Sequence, residues 1–99
     1  MTDPTVLYAD PEVALEAYRR AVPAELLPSG NFEAKPGYSI AHIAAHNGHL
    51  AVLQSFGRHY ELDIATDQTD MTPLIVAANN GHAPVVQYLL EKGADINKA

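Results

Sequence analysis

The chain repeats itself. Shifted by 33 places, Ser39–His59 falls on Thr72–Lys92, and seven of the 21 aligned positions are identical: Ala44/Ala77, Ala45/Ala78, Asn47/Asn80, Gly48/Gly81, His49/His82, Val52/Val85 and Gln54/Gln87. Ile43/Val76 and Leu53/Val86 are near equivalents. Beyond this block, Asp63-Ile64 and Asp95-Ile96 correspond at a shift of 32, so one connecting loop has changed by a residue. A unit of this period cannot bury its apolar face alone, and stability has to come from stacking one unit on the next. The period therefore constrains the fold more than any single motif does.

Within each unit the punctuation predicts two short antiparallel helices. In the second, Thr72 is placed to cap with its hydroxyl, while Pro73 takes the first helical position, where its missing N–H would have had no partner. The helix is predicted over 73–79, and Gly81 follows where a left-handed residue is wanted. Pro84 then restarts a helix with an apolar stripe of Val85, Val86, Leu89 and Leu90, closed by Lys92 and Gly93. In the first unit Ser39 stands for the Thr-Pro start, Gly48 makes the break, and Leu50, Val52, Leu53 and Phe56 form the stripe. Gly57 inside that helix should cost about 0.5–1 kcal/mol relative to Ala.

The first third of the chain does not repeat. Asp10-Pro11-Glu12 reads as a helix start, with a cap, a first-position proline and an acid at the positive end of the dipole. Val13, Leu15, Ala17 and Tyr18, with Ala14 and Ala21, are expected to supply the buried side of a helix to about Val22. One more turn is expected from Pro23 to Leu27, stopped by Pro28-Ser29-Gly30.

The residues at this point closely resemble the ankyrin repeat: Thr72-Pro73-Leu74, Ala77-Ala78, Gly81-His82, Val85-Val86, Leu89-Leu90 and Gly93-Ala94-Asp95. The first unit is similar through Gly37-Tyr38-Ser39-Ile40-Ala41-His42, Ala44-Ala45 and Gly48-His49. It departs at Tyr60, where the pattern has Gly, so that loop must accept a left-handed tyrosine or take another route. The resemblance covers 35–99 and implies an all-α ankyrin-repeat solenoid of stacked helix-turn-helix units with short β-hairpin-like loops. Two repeats are expected, about 35–66 and 67–99, after a helical cap or degenerate repeat at 1–34 that covers the first repeat's apolar side. The chain stops at Asn97-Lys98-Ala99, where a following unit would begin, so part of the last helix pair is expected to be exposed.

Ninety-nine residues make one domain, and six Lys plus Arg against twelve Asp plus Glu give a net charge of −6. That field repels phosphate backbones and anionic lipid surfaces, which argues against nucleic acid and membrane partners. With no cysteine there is no disulfide, thiol catalysis or thiolate metal site. The start MTDPTVLYADPEVALE lacks a secretory layout, and a cytoplasmic location is expected.

What the resemblance implies is binding of another protein, identity open, through a concave surface made by hairpin tips and the exposed side of each first helix. Carried over by position, the surface takes Lys35, Pro36, Tyr38, His46, Asn47 and His59 from the first repeat. From the second it takes Gln68, Thr69, Met71, Asn79, Asn80 and Lys92. Tyr38 and Met71 read either as exposed anchors or as packing between hairpins. The alternative is a structural unit, in which the uncapped C-terminal face meets a second copy, as in a homodimer, or the rest of a longer solenoid.

Other candidates read blandly. His42, His46 and His49 have tempting spacing, but the acid of an HExxH zinc site is missing, and the resemblance implies that His42, His49 and His82 are structural residues hydrogen-bonding between loops and neighbouring repeats. Neither a metal nor a cofactor is expected. Glu61, Asp63, Asp67 and Asp70 lack the order of a calcium loop and read as a solvated turn or an acidic fingertip. No nucleophile motif or phosphate loop argues for an enzyme. Finally, Leu89, Asp95, Ile96 and Asn97 resemble the pattern around which asparagine hydroxylases modify ankyrin repeats, though these residues are also ordinary consensus.

Overall fold

The computed structural model describes residues 5–27, 30–56, 65–66 and 70–93. It contains α1 (Pro11–Ala21), α2 (Ile40–Asn47), α3 (Leu50–Phe56), α4 (Pro73–Asn79) and α5 (Ala83–Glu91). Among the described residues there is no strand, only an isolated antiparallel bridge between Tyr8 and Tyr38. The fold is all-α, as the repeat pattern predicts.

Helices α1, α2 and α4 begin where a side chain satisfies one of the first free N–H groups, whereas α5 starts after His82 without a side-chain cap. Asp10 Oδ1 accepts from the Glu12 amide at 2.9 Å ahead of Pro11, and Thr72 Oγ1 accepts from the Ile75 amide at 3.3 Å ahead of Pro73. Before α2, Ser39 and His42 form a reciprocal capping box, with a histidine where Glu or Gln is usual. Both first helices end on a left-handed glycine, Gly48 at φ 74° and Gly81 at φ 73°. The chain then reverses at once into α3 and α5.

The packing order follows the sequence order. Helix α1 lies on α2, α2 on α3 and α4, α4 on α5, and α3 on α5. At the centre of this stack α2 is buried continuously from Ile40 to Ala45, while α5, on the outside, buries only Val85 and Leu89. In α3 the expected stripe is confirmed for Val52, Leu53 and Phe56, with Leu50 partly buried against the same core. The α1 stripe needs a correction. Ala14, Tyr18 and Ala21 are buried, but Val13 is 51% exposed, because one step along a helix turns about 100° away from the i, i+4, i+7 face. The turn expected after α1 is present, with Leu26 and Leu27 amides donating to the Pro23 carbonyl at 2.9 and 3.0 Å.

Several expectations lie outside the described residues: Gly57, Tyr60 and its loop, Glu61, Asp63, Asp67 and the 95–97 segment. The remaining acid, Asp70, is exposed and has φ 53°, a left-handed conformation that Asp tolerates in turns.

Candidate functional site

Two histidines with the same spacing from their glycines carry the joints between units. His82, next to Gly81, donates from Nε2 to the His46 carbonyl at the end of α2, 2.9 Å away. Its ring lies against Gly48, where an added Cβ would come within 2.8 Å of Nδ1. The equivalent His49 shares a 2.7 Å hydrogen bond with the Tyr18 hydroxyl of α1 and sits edge-on to Phe32, their ring centres 5.6 Å apart. Tyr18 also packs on Phe32 at 5.1 Å, and the Arg19 guanidinium lies over the Phe32 ring at 5.1 Å. Burial, and then the nearby His82, push the His49 pKa below 6.5, so its neutral form is favoured. Burial alone raises the pKa of Tyr18, which remains a hydroxyl.

His42 works in the opposite direction along the stack. Its Nδ1 accepts from the Ser39 amide at 3.1 Å, which fixes the ring proton on Nε2, and that nitrogen donates to the Met71 carbonyl at 2.7 Å. The Met71 amide in turn donates to Thr66 Oγ1 at 3.1 Å, and the Thr66 amide to the Met71 carbonyl at 2.9 Å. Thr66 and Met71 are thereby tied to α2.

A third cluster gathers the expected surface residues. His46 Nδ1 accepts from the Tyr38 hydroxyl at 3.3 Å and from Asn80 Nδ2 at 3.2 Å, while its Nε2 faces Glu33 Oε2 at 3.5 Å. Asn47 clamps the backbone of residue 33 with both ends of its amide: Nδ2 donates to the Glu33 carbonyl at 2.7 Å and Oδ1 accepts the Glu33 amide at 2.9 Å. Tyr38, His46, Asn47 and Asn80 are thus brought together, with Glu33 as a member the sequence reading missed. Glu33 precedes the first recognisable repeat, and nothing in the pattern marks it.

Of the two readings of Tyr38, its burial favours packing. It is 6% exposed, stacked on His42 with ring centres 5.3 Å apart, and its carbonyl accepts from the Tyr8 amide at 3.0 Å while its own amide donates to the Lys35 carbonyl, so it is packing and not an exposed anchor. Met71 is partly buried against the core. Lys35, Pro36, Asn79 and Asn80 are exposed, whereas His46 and Asn47 are half-buried. Lys92 is exposed at the end of α5, with Nζ 5.7 Å from the Tyr88 ring, and no described contact joins it to the His46 cluster. His59, Gln68 and Thr69 lie outside the described residues.

The histidines are arranged as hydrogen-bonding joints, and among the described residues no three His, Cys, Asp or Glu side chains converge on a metal position. No helix among them is long and apolar enough to cross a membrane. A groove of about 490 Å³ opens on the outer side of α4 and α5, lined by Ala78, Gly81, Ala83, Val86 and Leu90, with Leu90 44% exposed.

The family model described as Ankyrin repeats (3 copies) matches residues 14–99, reaching back from the two recognisable units into α1. The chain belongs to the ankyrin-repeat family. It is 41% identical over 56 residues to alpha-latrocrustotoxin-Lt1a of Latrodectus tredecimguttatus, an alignment covering 56% of this chain and 4% of the toxin. It is 63% identical over 30 residues to the sex-determining protein fem-1 of Caenorhabditis elegans, covering 30% of this chain and 5% of that protein. A 60 kDa lysophospholipase of Mus musculus is 48% identical over 61 residues, covering 59% of this chain and 10% of the enzyme. The chain therefore spans a tenth or less of each of these relatives' length. Ankyrin repeats are generally non-catalytic protein-interaction modules, and the activity in the last relative's name belongs to that protein.

Proposed function

We propose that this chain binds another protein, without catalysis, through the face that carries the hairpin bases and the ends of α2 and α4. The observation that carries the reading is the His46 cluster, in which Tyr38 and Asn80 from successive repeats donate to one imidazole. Exposed side chains beside it, Lys35 and Pro36 before α2 and Asn79 at the end of α4, are held in register on rigid elements. In this reading residues 1–34 cap the stack, 35–99 form the two repeats, His59, Gln68, Thr69 and Lys92 extend the surface, and the setting is cytoplasmic.

A second reading rests on the groove at α4 and α5. Its apolar lining is the 33-residue equivalent of a surface that, one repeat earlier, is covered, with Ala45 and Leu53 fully buried. A second copy or a further repeat would cover it in the same way.

One experiment separates the two. Binding to a library of folded proteins is measured for the wild type, for Lys35→Glu combined with Asn79→Arg, and for Leu90→Asp, with light scattering on each. These positions are exposed, so circular dichroism should be unchanged. Under the first reading the double variant loses about tenfold or more in affinity while Leu90→Asp binds normally. Under the second, with a second copy as the cover, the wild type associates with itself and Leu90→Asp is monomeric. If no variant alters either property, the first reading and the second-copy reading both fail.

A further inference from the structure

The chain contains the tripeptide Asn-Gly-His twice, at 47–49 and 80–82, each at the C-terminal end of a first helix, with Asn47 the last residue of α2 and Asn80 the residue after α4. A residue followed by glycine is the arrangement in which an asparagine side chain is most open to attack by the next backbone nitrogen, because no Cβ obstructs that nitrogen. Local sequence and backbone are matched: Gly48 and Gly81 have φ 74° and 73°, and their amides point at the carbonyls of Ala45 and Ala78 over 3.4 and 3.2 Å. The side chains are not matched. Asn47 is half-buried, and its amide makes three hydrogen bonds: to the Ile43 carbonyl at 2.8 Å, and to the amide and carbonyl of Glu33 at 2.9 and 2.7 Å. Asn80 is exposed, and Nδ2 donates to the Val76 carbonyl at 2.8 Å and to His46 at 3.2 Å, while Oδ1 has no partner among the described residues.

From this contrast we propose that Asn80 is a site of spontaneous deamidation and that Asn47, in an identical tripeptide, is protected by the Glu33 backbone. In the reaction the Gly81 nitrogen attacks Cγ of Asn80, forming an N–Cγ bond and breaking the Cγ–Nδ2 bond. Ammonia leaves with the proton from the Gly81 N–H, and a five-membered succinimide remains. Water then opens the ring at either carbonyl, giving aspartate or isoaspartate. The balance is Asn plus water to an acidic residue plus ammonia, with no oxidant or cofactor.

For Asn80 to reach Cγ-to-nitrogen contact, its amide must leave Val76 and His46. For Asn47 the same swing also releases both bonds to residue 33, which lies outside the helix. Three hydrogen bonds released at Asn47 against two at Asn80 are expected to slow Asn47 about tenfold, a barrier difference of about 1.4 kcal/mol.

The product would matter where it forms. The Nδ2 donor to His46 disappears, a carboxylate takes its place beside the Nδ1 lone pair, and the isoaspartate form adds a backbone carbon at the end of α4. If the adjoining face is the binding surface, an aged chain would present a more negative edge there, a consequence that rests on the functional reading although the chemistry does not.

The test is a time course of the full chain at mildly alkaline pH, analysed by peptide mapping for a gain of about 1 Da at each asparagine. A parallel sample is kept in denaturant. Folded, Asn80 should convert at least about tenfold faster than Asn47, and in denaturant the two rates should converge, since both are followed by Gly-His. Equal folded rates, faster conversion at Asn47, or an Asn80 that converts only in denaturant would each overturn the proposal.

Discussion

The two repeats share a tripeptide, a left-handed glycine and a helix-pair geometry, yet they sit in different surroundings. The first is covered on both sides: α1 and the residue-33 segment lie against one flank, α4 and α5 against the other. The second is covered on one side only, among the described residues, and its outer flank is the groove ending at Leu90. Identical residues consequently do different work. His49 reaches a buried tyrosine while His82 reaches a backbone carbonyl, and Asn47 fastens a distant strand of chain while Asn80 leans on one imidazole. A repeat position specifies what a residue can touch, and the neighbouring unit decides what it does touch.

The largest expected break in this comparison is at the glycines. Gly48→Ala and Gly81→Ala both force a left-handed alanine, at a cost of about 1–2 kcal/mol. At Gly81 nothing lies within 4 Å of the new Cβ, so that is the whole effect. At Gly48 the Cβ would come 2.8 Å from the His82 ring, which must shift and give up its bond to the His46 carbonyl. We expect Gly48→Ala to cost about 3 kcal/mol or more in denaturant unfolding, against about 1–2 for Gly81→Ala. Equal losses would mean that the repeat joint is softer than its geometry.

How much of this was legible in advance follows the same division. The caps at Asp10, Ser39 and Thr72 and the breaks at Gly48 and Gly81 were readable, because each is a local requirement on a helix end. The groove at Leu90 is readable in outline, since Val86 and Leu90 extend the apolar stripe of α5 beyond the buried Val85 and Leu89. Tyr38 was left open between two roles, because a hairpin-base aromatic reads the same whether a partner or its own chain covers it. Only the fold shows it between Tyr8, His42 and His46. Val13 reads as buried in the sequence because an unbroken run from Val13 to Leu15 does not reveal which residue begins the buried stripe. Glu33 could not be found at all, since its role is performed by backbone atoms that any residue would supply.

A smaller contrast is expected at the asparagines. Asn47→Ala removes three hydrogen bonds and leaves the Glu33 amide and carbonyl to find water, for a loss of about 2 kcal/mol. Asn80→Ala removes two at an exposed site and should cost about 1 kcal/mol or less. Hydrogen exchange sharpens the reading: protection at the Glu33 amide should collapse in Asn47→Ala and be unchanged in Asn80→Ala. If Glu33 stays protected without Asn47, the clamp is not what holds residue 33.

The smallest expected effect is a pH dependence set by His49. Its folded pKa lies below 6.5 because burial and then His82 disfavour the charged ring. As pH falls below that value the unfolded chain takes up a proton before the folded chain does, so protonation favours unfolding. This group's contribution is fully present above pH 6.5 and declines as the pH drops toward the folded pKa. The ring is only half-buried and can still be hydrated, which keeps the effect modest. His49→Gln retains a partner for the Tyr18 hydroxyl but cannot titrate, so its stability should fall less than the wild type's on acidification, read as the change in urea midpoint across that range. An unchanged acid dependence would assign the proton uptake to another residue and leave Tyr18–His49 as packing alone.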